Sequence, residues 1–396
     1  MKSDFLKYQA QTSPNPLGLE ISHANGTYVY DTNGKEYLDF IAGVSANSLG
    51  HNHPVVKEAI LEQLGKYTHV MVYGEFVQQP QVELCKFLCK QLAPQLQSVY
   101  LTNSGTEATE GALKLAKRFT GRSEIVSAKN SYHGNTQGAM SVSGKEQQNS
   151  AFRPLIPGIK FIEFNNINHI QKISARTAAV ILETIQGGAG FITPKNEYLS
   201  KVKQRCDEVG ALLILDEIQT GIGRTGKLFG FENYNLIPDI IIAGKGLGGG
   251  MPIGAFIASA AMMAVLKQDP KLGHITTFGG HPVIAAAALA TLKEITSSNL
   301  INEVLEKERL FRKLLQHNAI QEIRGKGLML AIIMENSAIT SKIILKAIKK
   351  GLLLFWLLFE EKAIRITPPL TITNSDIRKG CTILLEVIEE VYRTTN

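Results

Sequence analysis

The chain has 396 residues, 44% of them hydrophobic and 19% charged, with a formal net charge of +7. That balance excludes intrinsic disorder, supplies core material for two or three domains, and favours anionic partners without naming one. The longest apolar runs, Gly351–Phe359 and Val283–Leu292, are about half of the ~18 residues a membrane-spanning helix needs.

The start, MKSDFLKYQA, lacks a signal peptide's apolar run, which points to a soluble, cytoplasmic protein. The lysines are dispersed, with no basic block and no interleaved aromatics, which argues against nucleic acid. Four cysteines, Cys85, Cys89, Cys206 and Cys381, are too few for a disulfide scaffold. Cys85 and Cys89 share a helix face at a spacing a metal could use. No His or further Cys lies nearby in the sequence, so two buried thiols is the simpler reading.

In chain order, Gly26–Phe40 (GTYVYDTNGKEYLDF) reads as two short strands around Thr32-Asn33-Gly34. His51 and His53 could pair on a metal, but Pro54 marks a turn and a helix start. Short β-branched runs then alternate with helical patterns. Strands are expected at Ser98–Leu101, Glu124–Ala128, Ile159–Glu163, Ala178–Leu182, Leu212–Leu215, Asp239–Ala243 and Ile253–Ala258. Tyr198, Leu199, Val202, Cys206 and Val209 recur at helical spacing, with Gly210 as the stop. The alternation predicts an α/β fold with a mostly parallel sheet covered on both faces. Beyond about residue 285, long helices and a few strands follow. The expected division is a large α/β domain at 51–282 and a smaller α+β domain from 1–50 and 283–396.

Open α/β sheets bind ligands beyond the carboxyl ends of their strands. Five strands deliver polar groups there: Thr102–Glu107, Lys129–Gly134, Glu183, Asp216 with Glu217 and Gln219, and Gly244-Lys245. Ser104 and Glu107 have the spacing of a capping box. The amides of Gly105 and Thr106 then form either a well-capped helix start or a phosphate cradle at its positive end. Asp216, closing an apolar run, needs a cationic or hydrogen-bonding partner: a structural salt bridge, or the protonated ring nitrogen of a cofactor. Lys245, bracketed by glycines, is either a mobile loop lysine or a desolvated nucleophile towards carbonyls. Two near-motifs fail. Gly244, Gly246 and Gly249 match a dinucleotide loop, but Gly250-Met251-Pro252 breaks the helix it requires. Gly221–Lys227 resembles a P-loop, but Leu228 replaces the magnesium-binding hydroxyl.

On these residues the chain resembles the class III, fold-type I, pyridoxal-phosphate-dependent aminotransferases, from about Gly26 to Ile372. The landmarks are Asp31–Asp39, Leu49–Pro54, Asn103–Glu107, Tyr132-His133-Gly134, Leu215–Gln219, Gly223–Gly226, Pro238–Gly250, Thr276–Pro282 and Arg365–Leu370. Within the family it is most similar to the acetylornithine/ornithine group, which implies amino-acid metabolism of the arginine-biosynthesis kind. The resemblance implies a large domain with a seven-stranded sheet. It implies that Lys245 carries pyridoxal 5'-phosphate covalently and that Asp216 faces the ring nitrogen. Gln219 would lie near the ring's phenolic oxygen, Tyr132 on the ring face, and Ser104, Gly105 and Thr106 at the phosphate, with His133 and Glu183 also around the cofactor. Thr277 would reach the neighbouring subunit's phosphate, implying a homodimer. Asn135, Thr276 and Arg365 would meet the substrate, Arg365 clamping a carboxylate. The implied reaction is a ping-pong transfer of a distal amine from an ω-amino acid to 2-oxoglutarate. Other class III activities are a 4-aminobutyrate-type transaminase or an epimerase; a catalytically silent member is the non-enzyme alternative.

Two positions depart from the family pattern. Asn135 stands where the family usually has an arginine that contacts a substrate carboxylate. Gly188 stands where many ω-aminotransferases have a glutamate that pairs with the arginine matching Arg365 and masks it. Without that glutamate, Arg365 is expected to stay available to carboxylates in both half-reactions.

Overall fold

The structure, a computed structural model, describes residues 1–393. Among these described residues, fifteen strands form three sheets. Near the N-terminus lie β1 (Ile21–Asn25), β2 (Tyr28–Asp31) and β3 (Glu36–Asp39). The large sheet contains β4 (Ser98–Thr102), β5 (Glu124–Ala128), β6 (Ile159–Ile162), β7 (Thr177–Glu183), β8 (Leu212–Asp216), β9 (Ile240–Gly244) and β10 (Gly254–Ala258). Towards the C-terminus follow β11 (Glu322–Lys326), β12 (Met329–Ile333), β13 (Leu352–Leu353), β14 (Phe355–Trp356) and β15 (Ala363–Ile366).

The seven strands of the large sheet are the seven expected, each within a residue or two. Their order is β4-β10-β9-β8-β7-β5-β6. β5 to β9 run parallel, and β10 lies antiparallel between β4 and β9. The fold is thus α/β with a mostly parallel sheet. Every residue of β7, β8, β9 and β10 is buried, as strands covered on both faces require. Alternate side chains enter different cores: Leu213 and Leu215 join one apolar cluster, Leu212 and Ile214 the other. The helix Gly105–Thr120 covers one face with Ala108, Ala112, Leu115 and Ala116. At Gly111 it lies so close that an added Cβ would be 2.3 Å from Cε1 of Phe256 on β10.

The two smaller sheets have the orders β1-β2-β3-β13 and β11-β12-β15-β14. β3 pairs in parallel with β13, Leu38 opposite Leu352, so both chain ends share one sheet. The helix Pro282–Ser297 packs on the helices Pro54–Leu64 and Gln79–Lys90. We therefore propose two units that follow the sequence division, with the second boundary placed after this helix. No described helix is long and apolar enough to cross a membrane.

Several sequence features find structural roles here. His51 Nε2 lies 2.8 Å from Asp39 Oδ2, and His53 immediately precedes the Pro54 helix. Among the described residues no cluster of three or more His, Cys, Asp or Glu is placed to hold a metal. The near-P-loop is a turn in which Arg224, 1% exposed, donates from Nη1 to the Leu328 and Pro368 carbonyls. Cys85 is half-buried, and burial pushes its thiol up to about 12.

Glu217, beside Asp216, is fully buried and ties three loops together. Its carboxylate accepts from the Thr184 and Thr220 hydroxyls and from the Gly230 and Phe231 amides. Two of these donors are amides that cannot accept in return. The two amides donate to different oxygens, so Glu217→Gln turns its NH2 group towards one of them in either orientation and should destabilise the protein by about 2 kcal/mol. Urea unfolding checks this; a midpoint equal to the parent's contradicts it.

Candidate active site

The carboxyl ends of the central strands open into a cleft of about 730 Å³. Gly105, Thr106, Tyr132, His133, Asn135, Glu183, Asp216, Gln219, Lys245 and Arg365 all line it. Ser104, Thr276 and Thr277 do not line the cleft.

Asp216 ends β8 at 5% exposure. Its Oδ2 lies 2.7 Å from Nδ1 of the enclosed His133, and its Oδ1 accepts from the Ile218 amide at 3.0 Å. A carboxylate can only accept here, so His133 carries its proton on Nδ1. His133 Nε2 has no partner among the described residues. Asp216 therefore finds a hydrogen-bonding partner in His133, while the carboxylate still faces the cleft.

Lys245 follows β9 and opens the short turn Lys245–Gly248. Its φ is +44°, a left-handed conformation that costs a side-chain-bearing residue about 1–3 kcal/mol and is characteristic of functional sites. Its amine has no hydrogen-bond or ion-pair partner among the described residues. Burial, with the positive charge of Arg365, lowers its pKa to about 8, against the opposing pull of Asp216 and Glu183. Such an amine is a far better nucleophile at neutral pH than a surface lysine.

The Gly105–Thr120 helix points its start at the same cleft. Ser104 caps it, accepting from the Glu107 amide at 3.3 Å. The return arm of the box reaches one residue further back, where Glu107 Oε2 accepts from the Asn103 amide at 2.8 Å. The Gly105 and Thr106 amides have no intrahelical partner, as the first turn dictates. Space around them is tight: a Cβ at Gly105 would lie 2.6 Å from Ile218 Cδ1, and one at Gly134 2.2 Å from Thr106 Oγ1. Thr106 Oγ1 also lies 2.8 Å from Thr136 Oγ1, which sequence reasoning did not single out.

Glu183 ends β7 opposite Asp216 in the strand register. It accepts from the Gly187 amide at 2.9 Å and the Tyr132 amide at 3.1 Å. Burial raises its pKa to about 7, helped by Asp216 and opposed by His133. Glu183 thus fixes the backbone that carries Tyr132. Gln219 donates to Ser45 Oγ at 3.3 Å. Ser45 belongs to a run of positive φ, Ala42, Gly43, Val44 and Ser45, that brings Val44 to the cleft wall. Asp39 holds the entry to this run, accepting from the Ile41 and Ala42 amides at 2.7 and 3.0 Å.

Arg365, on β15 and 6% exposed, lies with its guanidinium carbon 5.8 Å from the Phe191 ring centroid. Its Nε and Nη1 have no partner among the described residues, and burial lowers its pKa to about 10. An unpaired buried guanidinium calls for an anion from outside. An apolar stretch of the lining comes from Phe355, Trp356, Leu357 and Leu358, on the segment whose Phe355 pairs with Arg365 across the strands and within the run whose length excluded a membrane span. Thr276 Oγ1 accepts from Asn103 Nδ2 at 2.9 Å, and Thr277 is exposed.

The donor set fits pyridoxal 5'-phosphate: an unpaired amine for its aldehyde, a fixed carboxylate for its ring nitrogen, and helix-tip amides in a cradle that any Cβ would fill. Comparisons with known proteins agree. A family model described as aminotransferase class III matches residues 8–388. The chain is 40% identical over 391 residues to acetylornithine aminotransferase of Caldanaerobacter subterraneus subsp. tengcongensis, covering 95% of this chain and 96% of that protein. It is 38% identical over 411 residues to putrescine aminotransferase of Pectobacterium atrosepticum, covering 99% and 86%. Among solved structures, an ornithine aminotransferase from Toxoplasma gondii superposes with a TM-score of 0.91 at 31% identity, covering 99% of this chain and 94% of that one; it shows partial occupancy of PLP at its active site.

Proposed function

Because the chain belongs to the class III aminotransferases and is a pyridoxal-phosphate-dependent transaminase, we propose that it moves the distal amino group of an ω-amino acid, acetylornithine-like, to 2-oxoglutarate by a ping-pong mechanism. The observation that carries this reading is the convergence of Lys245, the Asp216–His133 pair and the unpartnered Arg365 on one cleft. The acetylornithine aminotransferase relative supports the donor class. A panel of ω-amino donors with 2-oxoglutarate, read by glutamate formation, tests it; no glutamate from any of them overturns it.

Bound pyridoxal phosphate supplies an electrophilic carbon and an electron sink for the bond broken at the amine-bearing carbon. The protein's own residues do the rest. The Gly105 and Thr106 amides and the Thr106 hydroxyl would bind the phosphate at the positive end of their helix. Asp216, held by His133 and the Ile218 amide, would keep a proton on the ring nitrogen. Tyr132 would cover a ring face, and Gln219 would reach the phenolic oxygen. Lys245 Nζ would hold the group and would serve as the base and acid that takes up and returns the proton of the substrate carbon. Arg365 receives a carboxylate, bidentate geometry fixing its orientation. Thr277, exposed in one chain, contributes to the second subunit's phosphate site in a homodimer, and Thr276 and Asn135 stand near substrate. We place the enzyme in the cytoplasm.

The amine of Lys245 must be neutral to attack. Uptake of pyridoxal phosphate by the apoprotein should therefore rise with pH through a midpoint at about 8, followed by visible absorbance. The positive charge of Arg365 lowers the Lys245 pKa, so Arg365→Gln should move the midpoint upward. A midpoint that stays put or falls in that variant contradicts the coupling.

A further inference from the structure

The helix that points its start at the cofactor site carries a second cationic hollow further along. A pocket of about 390 Å³ is lined by Lys114, Lys117 and Arg118 of the helix Gly105–Thr120 and by Pro270, Gly273 and His274 of the loop ahead of Thr276. No carboxylate is among its lining residues. The three cations stand three and four residues apart on one helix face, where like charges repel. Neither lysine has a hydrogen-bond or ion-pair partner among the described residues. Arg118 donates from Nη1 and Nη2 to the Asp269 and Gln268 carbonyls, which ties the loop to the helix and leaves the charge unneutralised.

His274 is anchored beside them. Its carbonyl accepts from the Tyr100 hydroxyl at 2.8 Å, and its ring packs on Tyr100 and Phe256, centroids 4.9 and 5.8 Å away. Burial, with the charge of Lys114, lowers its pKa to about 4, so the ring is neutral at pH 7 and carries one N–H. Both ring nitrogens are enclosed without a partner among the described residues. Glu107 and Glu110 act on the ring in the opposite sense. Their carboxylates are engaged elsewhere, by Asn103 and by the Gly138 and Ala139 amides. Cations in a last helical turn offset the helix dipole, and Lys117 and Arg118 are placed for that. Lys114 stands a turn earlier, and the dipole explains neither it nor the hollow.

We propose that this hollow is a second anion site, which takes the phosphate group of a small molecule and is separate from the cofactor cradle. Lys114 lies eight residues beyond Thr106, about 12 Å along the helix. A carboxylate answers one of three clustered cations, whereas a phosphate dianion answers two, and lysine ammoniums suit it as point charges. The free ion and a phosphate ester share this chemistry. The bound group bridges the helix to the loop that continues into Thr276 and Thr277.

Borohydride-reduced holoenzyme tests this, because the cofactor's own phosphate then fills the cradle. It is titrated calorimetrically at low salt with orthophosphate and with phenyl phosphate, and one anion per chain should bind. Tighter orthophosphate identifies the free ion as the occupant, tighter phenyl phosphate an ester; either sustains the site. Lys114→Gln combined with Lys117→Gln should weaken binding about tenfold, as loss of two exposed charge contacts to a dianion predicts. Both side chains lack partners, and glutamine keeps most of the stem, so the fold is spared. Lys201→Gln with Lys313→Gln removes the same charge from other helices and should leave binding unchanged. Arg365→Gln, which takes away the cleft's unpaired cation, should leave it unchanged too. Four results overturn the proposal: no binding by the parent, undiminished binding in the Lys114/Lys117 variant, an equal loss in the Lys201/Lys313 variant, or loss in Arg365→Gln, which would put the anion in the cleft.

Discussion

Lys245→Ala should abolish transamination, lowering turnover by about 10⁴-fold or more, because one amine both holds the cofactor and moves the proton. The fold should survive. Lys245 anchors nothing, having no hydrogen-bond or ion-pair partner among the described residues, and alanine replaces a desolvated cation with a small apolar group. Thermal unfolding of the apoprotein should therefore lie at or slightly above the parent's temperature. Turnover within tenfold of the parent would remove Lys245 from its assigned role.

Asp216→Asn should keep the cofactor but slow turnover by about 10³-fold, since a neutral amide no longer holds a proton on the ring nitrogen, and the electron sink weakens. Two further consequences follow from its neighbours. His133 Nδ1 loses a charged acceptor at 2.7 Å. The Asp216 charge raises the Lys245 pKa, so its removal should lower that value further below 8, shifting the pH midpoint of cofactor uptake downward. Arg365→Gln is expected to move the same midpoint upward. Opposite shifts from the two variants would show that both charges act on one amine; shifts of the same sign would break that picture.

Much of this site can be read from local pattern. β7 to β9 are continuous apolar runs, as strands buried on both faces must be, and Glu183, Asp216 and Lys245 stand at their ends. The Ser104–Glu107 cap is equally local, because spacing along a helix decides it. Other parts depend on contacts far apart in sequence. The pairing of His133 with Asp216 joins β5's loop to β8, and no pattern at either position names the other. The left-handed turn Ala42–Ser45 contains Val44, a β-branched residue with no intrinsic preference for positive φ, so tertiary contacts impose it. β1 is almost wholly exposed and lacks the alternation that marks a half-buried strand. Phe359 is one more apolar residue in a run of them until the backbone of Gly188 is placed beside it. The departure at Gly188 is legible in the sequence; what fills the gap is not.

The central claim is that Lys245, and no other lysine, carries pyridoxal phosphate in the cleft that Asp216 and Arg365 share. Borohydride reduction of the holoenzyme, followed by digestion and mass spectrometry, locates the pyridoxyl label directly. The account predicts one labelled peptide, containing Ala243-Gly244-Lys245-Gly246, and loss of the label in Lys245→Ala. A label on a different lysine, or none despite bound cofactor, would contradict it.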